Sequence, residues 1–323
     1  MRIAVIIVTF NAGDDLKHCL EGIKNQQRKP DRCLVIDNGS RDSPIVGNEP
    51  WLEGIELHRN SSNEGFAAAN NWGALLASDA DWIAFLNPDA VPEADWLLAL
   101  ENATKAFPSY QSFACRQLSL EAPSLLDGAG DALSLAGRPF RRGFGAHAAN
   151  TYITTEPVFS GCGAAMMIRR DLFLAVQGFD EDFFCYLEDV DLGFRVRHQG
   201  ESCLYVPDAV VHHRGSGTTG FRSRFSTYHG HRNMVWLLIK NMPAGLLTLT
   251  LPLHLLVTLG AFLQCARRGQ GMLFCFSKWH ALKELPRMLR KRKAIQSTSK
   301  APLSALLKGF QTEARKGSRW IFF

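Results

Sequence analysis

The sequence predicts an α/β protein in which helices cover both faces of a mostly parallel sheet and a helical tail follows. Short apolar segments alternate with segments of helical periodicity through the first half of the chain. The first apolar segment, at 3–8, is continuous rather than alternating, as expected for a strand that is buried on both faces. The last quarter differs, because it contains a long uncharged apolar segment and a basic cluster.

The first half supplies the strands and helices of the predicted sheet. Apolar residues recur at helical spacing between 16 and 23, and Asp14 is placed to cap this helix. Another helix is predicted after Asp89, with Pro92 in its first turn. Further strands are predicted at 33–36, 55–57 and 82–86, and a further helix at 65–78.

The second half is less regular. Residues 108–157 contain many small residues and little periodicity, so we expect a long connection with a short strand pair. Strand character returns in 161–170. The elements predicted after it are a helix from Glu188, strands at 203–206 and 209–212, and a helix at 226–241.

Cysteine spacing and charge distribution bound the function classes. The eight cysteines are scattered without a C-x-x-C pair, which argues against a zinc ribbon or a disulfide scaffold and favours a reducing compartment. From Gln264 onwards 14 Lys and Arg face 2 Glu, a balance of +12, whereas the rest of the chain carries 22 against 29, a balance of −7. A mildly acidic globular part therefore precedes a strongly basic tail.

We accordingly predict a globular domain at 1–240 and a tail at 241–323. Residues 241–266 carry no formal charge and are long enough to span a bilayer, which takes about 20 residues. One span would separate the basic cluster at 287–293 from the first half, although both are expected on the cytoplasmic side. We therefore favour an interfacial or re-entrant segment held to an anionic membrane surface, with a buried helix pair as the alternative.

Polar residues follow the predicted strands at one edge of the sheet. Ligands of open α/β sheets bind beyond the carboxyl ends of the strands, so these residues predict a small-molecule site. Neither a G-x-G-x-x-G nor a P-loop motif occurs among them. The residues are Thr9, Phe10 and Asn11 after the first strand, Asp37 and Asn38 after the second, Asn63 and Gly65 before a helix, and Asn87 and Asp89 after the fourth strand.

Three acids stand in the otherwise apolar segment FCYLEDVDLGFRVR at 184–197. On a helix that begins near Glu188, Glu188, Asp191 and Arg195 share one face and can form a ladder of ion pairs. Asp189 points about 100° away from that face. Capping and salt bridges are a sufficient explanation for Glu188 and Asp191, which leaves Asp189 as the stronger candidate for catalysis.

The motifs VIIVTFN, LVIDNGSRD, NEGFAAANN, FLNPDA and FCYLEDVDLGFR, in this order and spacing, resemble the family 2 glycosyltransferases, most closely the rhamnosyltransferase-like branch. The resemblance covers roughly residues 3–240. It implies a GT-A fold, a nucleotide-diphosphate sugar donor such as a dTDP- or UDP-sugar, and inversion at the anomeric carbon. It also implies that Thr9, Asn11 and Asp37 hold the nucleobase and ribose, and that Asn63, Gly65, Phe66 and Asn70 lie beneath the nucleotide and sugar.

A divalent cation, Mg²⁺ or Mn²⁺, would offset the charge that develops on a departing diphosphate, and such ions prefer carboxylates. Asp89 stands where a strand ends, although Asn87 replaces the first carboxylate of the D-x-D motif that is common in this fold. The match to other members of the fold places His213 at the metal, with His212 the less favoured choice. Surface or packing use is the alternative for this histidine pair.

The resemblance to the family's E-D pair assigns the catalytic base to Asp189, with Glu188 beside it. Transfer to an alcohol needs a base close to the acceptor hydroxyl. Gly161, Cys162 and Gly163 are expected to line the acceptor side, because glycines permit close backbone approach. For Arg232-Asn233, a solvated helix face is favoured over contact with donor phosphates or acceptor.

The sequence thus predicts an inverting, metal-dependent glycosyltransferase that is peripheral on the cytoplasmic face of the inner membrane. The tail suggests a glycan or polyprenyl-diphosphate-linked acceptor in envelope polysaccharide synthesis. A nucleotidyltransferase is one alternative, although it should show a Gly-, Arg- and Lys-rich loop where this chain has TFNAGDD. A catalytically silent, membrane-bound sugar-nucleotide-binding protein is the other. No nucleic-acid partner is expected, because the basic cluster lacks interleaved aromatic residues.

Overall fold

The computed structural model describes the chain except for residues 42–44, 46, 48, 216–219, 221, 308–309 and 311–323. The strands of this part are β1 (Ile3–Thr9), β2 (Arg32–Asp37), β3 (Glu56–Arg59), β4 (Trp82–Leu86), β5 (Ala90–Pro92), β6 (Ser112–Ser119), β7 (Leu126–Ala129), β8 (Asp131–Leu133), β9 (Pro139–Arg141), β10 (Glu156–Val158), β11 (Ala165–Arg169) and β12 (Cys203–His213). The helices are α1 (Asp14–Lys24), α2 (Phe66–Leu76), α3 (Trp96–Ala106), α4 (Arg170–Ala175), α5 (Glu188–His198), α6 (Arg224–Asn241), α7 (Ala244–Arg267), α8 (Gly271–Lys283), α9 (Leu285–Ser297) and α10 (Leu303–Leu307).

One large sheet organises the described residues, in the order β10-β12-β6-β11-β4-β1-β2-β3, with β5 paired to β12 and β7 paired to β6. β1 pairs in parallel with β2 and β4, and β2 with β3, as the alternation of strands and helices predicts. β11 is antiparallel to both β4 and β6. The first half of the sheet is therefore parallel as predicted, and the second half makes the sheet mixed.

Helices cover both faces of the sheet, which explains the continuous apolar sequence of β1. Ile3, Val5 and Ile7 join a buried cluster that includes residues of α1 and α3. Ala4, Ile6 and Val8 join a second cluster with residues of α2, α4 and α5. Burial on both faces stabilises the sheet by about 1.5–3 kcal/mol for each large aliphatic side chain removed from water.

Three local predictions are wrong. Asp14 is the first helical residue rather than the cap, since Gly13 occupies the N-cap position without a side-chain hydrogen bond. Pro92 ends β5 instead of lying in a helix, and α3 begins only at Trp96. The predicted strands at 203–206 and 209–212 form the single strand β12, which is interrupted by a bulge between Val206 and Val210.

The region 108–157 contains more structure than a connection with a short strand pair. β6 lies inside the sheet between β11 and β12, and β7 extends it, while β8 and β9 form a separate hairpin. β7, β8 and β9 are only three or four residues long, so they lack the alternation that reveals a longer strand. They also carry three charged residues of the candidate site, Asp127, Asp131 and Arg141.

The tail helices pack on the globular domain through α5 and α6. Met242, Leu246, Ala281 and Met288 belong to the same buried cluster as Phe183 and residues of α5 and α6. The boundary at residue 240 stays a prediction, because this cluster crosses it without a break. Within the described residues, α7 alone is long and apolar enough to cross a membrane, judged by length and composition only.

Candidate functional site

The predicted donor edge lies at the carboxyl ends of β1, β2 and β4. Thr9 and Asp37 are neighbours across the parallel pair β1–β2, and both are buried. Asp37 accepts a hydrogen bond from the backbone N–H of Ser40 at 3.0 Å. Asn11 takes a positive φ of 53°, and its N–H donates to the Ser40 hydroxyl at 2.9 Å, while Phe10 beside it is half-buried. These contacts fix one polar rim of the cleft.

Three residues that are predicted to bind the sugar donor, Asn38, Asn63 and Asn70, form side-chain hydrogen bonds to other groups of the protein. The Nδ2 of Asn38 donates to Oδ1 of Asn63 at 2.9 Å, and Oδ1 of Asn63 also accepts from the N–H of Gly65 at 2.9 Å. The buried Asn70 donates to the carbonyl of Phe66, one helical turn earlier, at 2.9 Å. These contacts favour roles in shaping the loop at the predicted donor edge over direct hydrogen bonds to a donor.

Asp89 and His213 meet because β5 pairs with the end of β12. His213 is the register partner of Ala90, and the N–H of Arg214 donates to the carbonyl of Asp89 at 3.0 Å. The Nε2 of His213 lies 3.3 Å from Oδ1 of Asp89. Its Nδ1 lies 2.7 Å from Oδ2 of Asp127, and Arg141 pairs with the same oxygen at 2.7 Å.

This arrangement fits a divalent cation. Nε2 of the buried His213 makes no hydrogen bond within the described residues, although it faces the carboxylate of Asp89. Asp127 on the opposite nitrogen orients the ring, as a carboxylate behind a metal-bound histidine commonly does. Burial alone would lower the pKa of His213, but the charges of Asp127 and Asp89 outweigh it and raise the pKa to about 9. Carboxylates therefore face both ring nitrogens of His213, and a cation bound at Nε2 would take the place of the proton there.

Of the two neighbouring histidines, only His213 faces this site. His212 points to the other side of β12, where its Nε2 lies 2.9 Å from Oε1 of the exposed Glu93. The half-buried Asn87 lies at the end of β4, and its N–H donates to the carbonyl of Ala164 at 2.9 Å. The geometry thus favours Asp89 and His213 as the ligand pair over any set that includes His212.

Asp189 lies in the first turn of α5 and is held by two backbone donors. Its Oδ2 accepts from the N–H of Gly163 and its Oδ1 from the N–H of Val190, both at 2.8 Å. Burial raises the pKa of Asp189 above its usual value, and these two hydrogen bonds and the charge of Arg141 offset only part of that rise. The two donors favour the ionised form, so Asp189 is the acid of this region best suited to accept a proton.

Glu188 and Asp191 do not lie on a solvated face, because α5 is buried along nearly its whole length. The expected pair of Asp191 with Arg195 is present, with Nε at 2.8 Å, and Lys240 adds a second ion pair at 2.7 Å. Glu188 does not join this ladder. Burial, followed by the charge of Asp189, raises the pKa of Glu188 well above its usual range, and its Oε2 has no hydrogen-bond partner in the described part of the chain.

Asp131 is a candidate residue that sequence reasoning missed. Ligand atoms of Asp131, Cys162 and Asp189 lie within 4.8 Å of one another. Burial and then the charge of Asp189 raise the pKa of Asp131 well above its usual range. A thiol is a poor ligand for Mg²⁺ or Mn²⁺, and both oxygens of Asp189 already accept backbone hydrogen bonds. The chemistry of this cluster therefore does not fit a second Mg²⁺ or Mn²⁺ site.

The expected acceptor-side residues connect the acids to the donor edge. A Cβ on Gly163 would lie 3.2 Å from the Phe66 ring and 3.6 Å from Oδ2 of Asp189, so these groups pack with no intervening space. A Cβ on Gly161 would lie 2.8 Å from Cβ of Met166, which only glycine avoids at this position. Cys162 is buried between them, and burial raises the pKa of its thiol.

The expectation of a solvated face for Arg232-Asn233 is wrong. Asn233 is fully buried, and Arg232 donates to the carbonyls of Asp182 and Phe183 at 3.1 and 3.0 Å. The guanidinium also lies over the ring of Trp236, with its carbon 4.3 Å from the ring centroid. Both residues thus face the loop that leads to the acids of α5. Nothing in the amphipathicity of α6 reveals this, because only its first residue, Arg224, is exposed and buried residues lie on all sides of the helix.

Comparisons with known proteins bear on the family and the fold of this chain. Residues 4–176 match the model of glycosyl transferase family 2. The N-acetylglucosaminyl-diphospho-decaprenol L-rhamnosyltransferase of Mycobacterium tuberculosis (strain ATCC 25618 / H37Rv) is 27% identical over 261 residues, which cover 75% of this chain and 85% of that protein. The rhamnosyltransferase WbbL of Escherichia coli (strain K12) is 28% identical over 248 residues, which cover 70% of this chain and 88% of that protein.

Among solved structures, the mannosyltransferase PcManGT from Pyrobaculum calidifontis in complex with GDP-Man and Mn²⁺ is similar with a TM-score of 0.56. The match covers 95% of this chain and 86% of that chain at 17% identity. An identity this low shows a shared fold alone. The likeness confirms the predicted fold class, a GT-A-like sheet with flanking helices.

Proposed function

The chain belongs to glycosyl transferase family 2, and on that premise we propose that it transfers rhamnose or a similar sugar from a nucleotide-diphosphate donor to a lipid-linked saccharide, with inversion. The two rhamnosyltransferases described above support this choice of sugar, and the name of the mycobacterial enzyme supports the class of acceptor. The observation that carries the proposal is the close packing of Phe66, Gly163 and Asp189, which sets the candidate base directly beside the donor edge.

In the proposed reaction, Asp189 accepts the proton of an acceptor hydroxyl. The acceptor oxygen then forms a bond to C1 of the sugar as the bond from C1 to the diphosphate oxygen breaks, and the nucleoside diphosphate leaves from the opposite face. The backbone N–H groups of Gly163 and Val190 hold the carboxylate at 2.8 Å and orient it for this step. Burial, followed by the charge of Asp189, raises the pKa of Glu188 and so favours its protonated form, which makes it less suited than Asp189 to accept a proton.

Asp89 and His213 would hold the divalent cation, with Asp127 and Arg141 behind them. A bound cation supplies positive charge that offsets the negative charge developing on the leaving diphosphate. The Nε2 of His213 and Oδ1 of Asp89, 3.3 Å apart, are the protein ligands of this proposal. Mn²⁺ in the similar mannosyltransferase structure supports a metal of this class.

The surface of the tail supports a peripheral membrane location. Several leucines of α7, including Leu249 and Leu256, are mostly exposed, as are Met272 and Trp279 of α8. Exposed apolar residues in such number mark an interaction surface. This surface fits insertion of one helix face at the interface of the cytoplasmic membrane leaflet, close to a lipid-linked acceptor.

The basic cluster contributes less to membrane binding than its charge suggests. Arg287 and Lys291 pair with Asp182, and Arg292 donates to the carbonyls of Ile239 and Met242. Three of the five cations at 287–293 therefore fasten α9 to the globular domain. We accordingly expect apolar contact to provide most of the membrane affinity, with an electrostatic part of about 1 kcal/mol for each remaining cation near an anionic surface.

A donor panel tests the proposal. We expect thermal unfolding to shift upwards with one or a few dTDP- or UDP-sugars in the presence of Mn²⁺, because ligands stabilise the native state according to their affinity. The stabilising donor should then transfer its sugar to a polyprenyl-diphosphate-linked N-acetylglucosamine, with release of nucleoside diphosphate. A nucleotidyltransferase would instead form a sugar nucleotide and release inorganic pyrophosphate when it is given a nucleoside triphosphate and a sugar 1-phosphate. Stabilisation without turnover in either assay would indicate a binding protein.

A further inference from the structure

The loop in front of the catalytic acids has an unusual backbone. Phe184, Tyr186 and Leu187 all have positive φ, at 64°, 73° and 69°, although none is glycine. L-residues reach this region at a cost of about 1–3 kcal/mol each, so surrounding contacts must hold the loop in place. Leu187 is also the N-cap of α5 and makes no side-chain capping bond. The position of Asp189 therefore depends on what restrains residues 183–187.

One carboxamide restrains most of this loop. The Nδ2 of Asn233 lies 2.9 Å from the carbonyl oxygens of Phe183 and Cys185, and 2.8 Å from that of Tyr186. Asn233 is completely buried. Its Oδ1 accepts from Nε of Arg232 at 2.9 Å, which orients the amide so that the donor nitrogen faces the loop. Packing of α6 against its neighbours does not by itself require an asparagine whose amide nitrogen contacts three backbone carbonyl oxygens of one loop.

The opposite side of the loop touches the donor edge. A Cβ on Gly65 would lie 2.6 Å from the ring of Phe184, and the N–H of Ala67 donates to the Phe184 carbonyl at 3.3 Å. The loop is thus enclosed between the start of α2, beneath the predicted donor, and Asn233 on α6. A shift of the loop would therefore move Asp189 relative to both the donor and the N–H of Gly163.

We propose that Asn233 is a positioning residue, which sets the distance between Asp189 and the reacting sugar by fixing the backbone of residues 183–187. This inference rests on the proposed role of Asp189. Asn233 does not contact the reacting atoms and acts through the loop alone. Since a misplacement of about 1 Å can cost on the order of 10²-fold in rate, loss of the three hydrogen bonds reduces turnover more than it reduces donor affinity.

The test compares Asn233→Ala with Asn71→Ala. Asn71 is a matched control, because from α2 it donates to the carbonyl of Phe179 at 2.8 Å and accepts from the N–H of the same residue at 2.8 Å, away from the acids. We expect kcat to fall about 10- to 100-fold in Asn233→Ala. The rise in unfolding temperature that the donor produces in the presence of Mn²⁺ should stay unchanged. Asn71→Ala should lose stability while its kcat stays within about twofold, as expected of a purely structural asparagine.

A double-mutant cycle separates positioning from general damage. In an Asp189→Asn background, adding Asn233→Ala should change kcat by less than about twofold, because both substitutions act through the same group. Multiplicative losses in the cycle would overturn the proposal, as would a parallel fall of kcat and donor affinity in the single variant. Full activity of Asp189→Asn alone would instead contradict the assignment of the base, on which the inference rests.

Asn233→Ser guards against a failure of the alanine variant to fold. A serine hydroxyl keeps one donor, so we expect intermediate kcat with unchanged donor affinity. A serine variant that is folded and as active as the wild type would refute the inference.

Discussion

Replacement of Asp189 by Asn removes the proposed base with the smallest change in shape. The carboxylate accepts two backbone hydrogen bonds at 2.8 Å, from Gly163 and Val190, but an amide offers one oxygen only. One N–H therefore loses its acceptor, which costs about 1–3 kcal/mol when it is buried. Removal of a buried charge offsets part of this cost, so we expect the free energy of unfolding to change by no more than about 2 kcal/mol.

The effect on turnover should be much larger than the effect on stability. General-base catalysis contributes about 10²–10⁴-fold, which corresponds to about 2.7–5.4 kcal/mol of the activation barrier. We expect Asp189→Asn to lower kcat by this factor while donor binding persists. The assay is steady-state transfer from a labelled nucleotide sugar, with urea unfolding of the same preparation to separate a catalytic loss from a loss of folded protein.

Glu188→Gln is the matched control, since the two acids are adjacent in sequence. Burial and the charge of Asp189 raise the pKa of Glu188 well above its usual range, which favours the protonated acid, and glutamine resembles a protonated glutamic acid in shape. We therefore expect kcat within about threefold of the wild type. A loss in Glu188→Gln as large as that in Asp189→Asn would refute the separation of roles, and more than a tenth of the kcat left in Asp189→Asn would refute the assignment of the base.

Three further predictions follow from the buried charges. His213→Ala should abolish the Mn²⁺-dependent part of the thermal shift produced by nucleoside diphosphate, whereas His212→Ala, altered at a surface ion pair, should retain it. Lys240→Met should lower the free energy of unfolding by about 3 kcal/mol in urea titrations, because the buried carboxylates of Asp180 and Asp191 lose a cation. Lys105→Gln, at an exposed ion pair, should change it by less than about 1 kcal/mol. Equal changes in the two variants would contradict the reasoning. Asp131 has a raised pKa in the folded state, so its contribution to stability is complete below its pKa in the unfolded chain and is lost as pH rises towards its pKa in the folded protein. Asp131→Asn should therefore reduce the fall of the unfolding free energy with pH by up to about 1.4 kcal/mol per pH unit. Identical pH profiles for the variant and the wild type would refute the raised pKa.

The sequence predicted the strands whose apolar pattern is continuous and the polar residues that follow them. β1 and β4 are continuous apolar segments because both faces of the sheet are covered, and the polar residues after them lie at one edge because parallel strands share an orientation. The assignment of Asp89 and His213 to a metal stays a prediction, but the structure shows why the two residues lie close together. Pairing of β5 with β12 is a long-range contact that brings Asp89 to His213.

The sequence did not predict residues whose roles depend on tertiary contacts. Asp131 and Arg141 lie on the short β8–β9 hairpin, where three-residue strands give no recognisable period. Arg232-Asn233 looked like a solvated polar pair, because a buried amide that binds a distant loop leaves no trace in helical periodicity. The burial of Glu188 likewise follows from the packing of α5 between the sheet and α6, which no local pattern encodes.

The charge of the tail was correctly recognised but only partly understood. The predicted attraction of the 287–293 cluster to anionic lipid assumed that its cations face the solvent. Instead Lys291 on α9 pairs with Asp180 and Asp182, so part of the basic charge of the tail balances acids of the globular domain. Part of the charge asymmetry along the sequence therefore arises because basic residues of the tail and acidic residues of the globular domain pair with each other at one interface.

Analysis of the product tests the central claim most directly. The enzyme, its stabilising nucleotide sugar and a polyprenyl-diphosphate-linked N-acetylglucosamine are incubated with Mn²⁺, and the product is examined by mass spectrometry and by NMR of its anomeric carbon. We expect an acceptor extended by one sugar residue, an equal amount of nucleoside diphosphate, and an anomeric configuration opposite to that of the donor. Retention of configuration, or an acceptor that gains no sugar, would contradict the account.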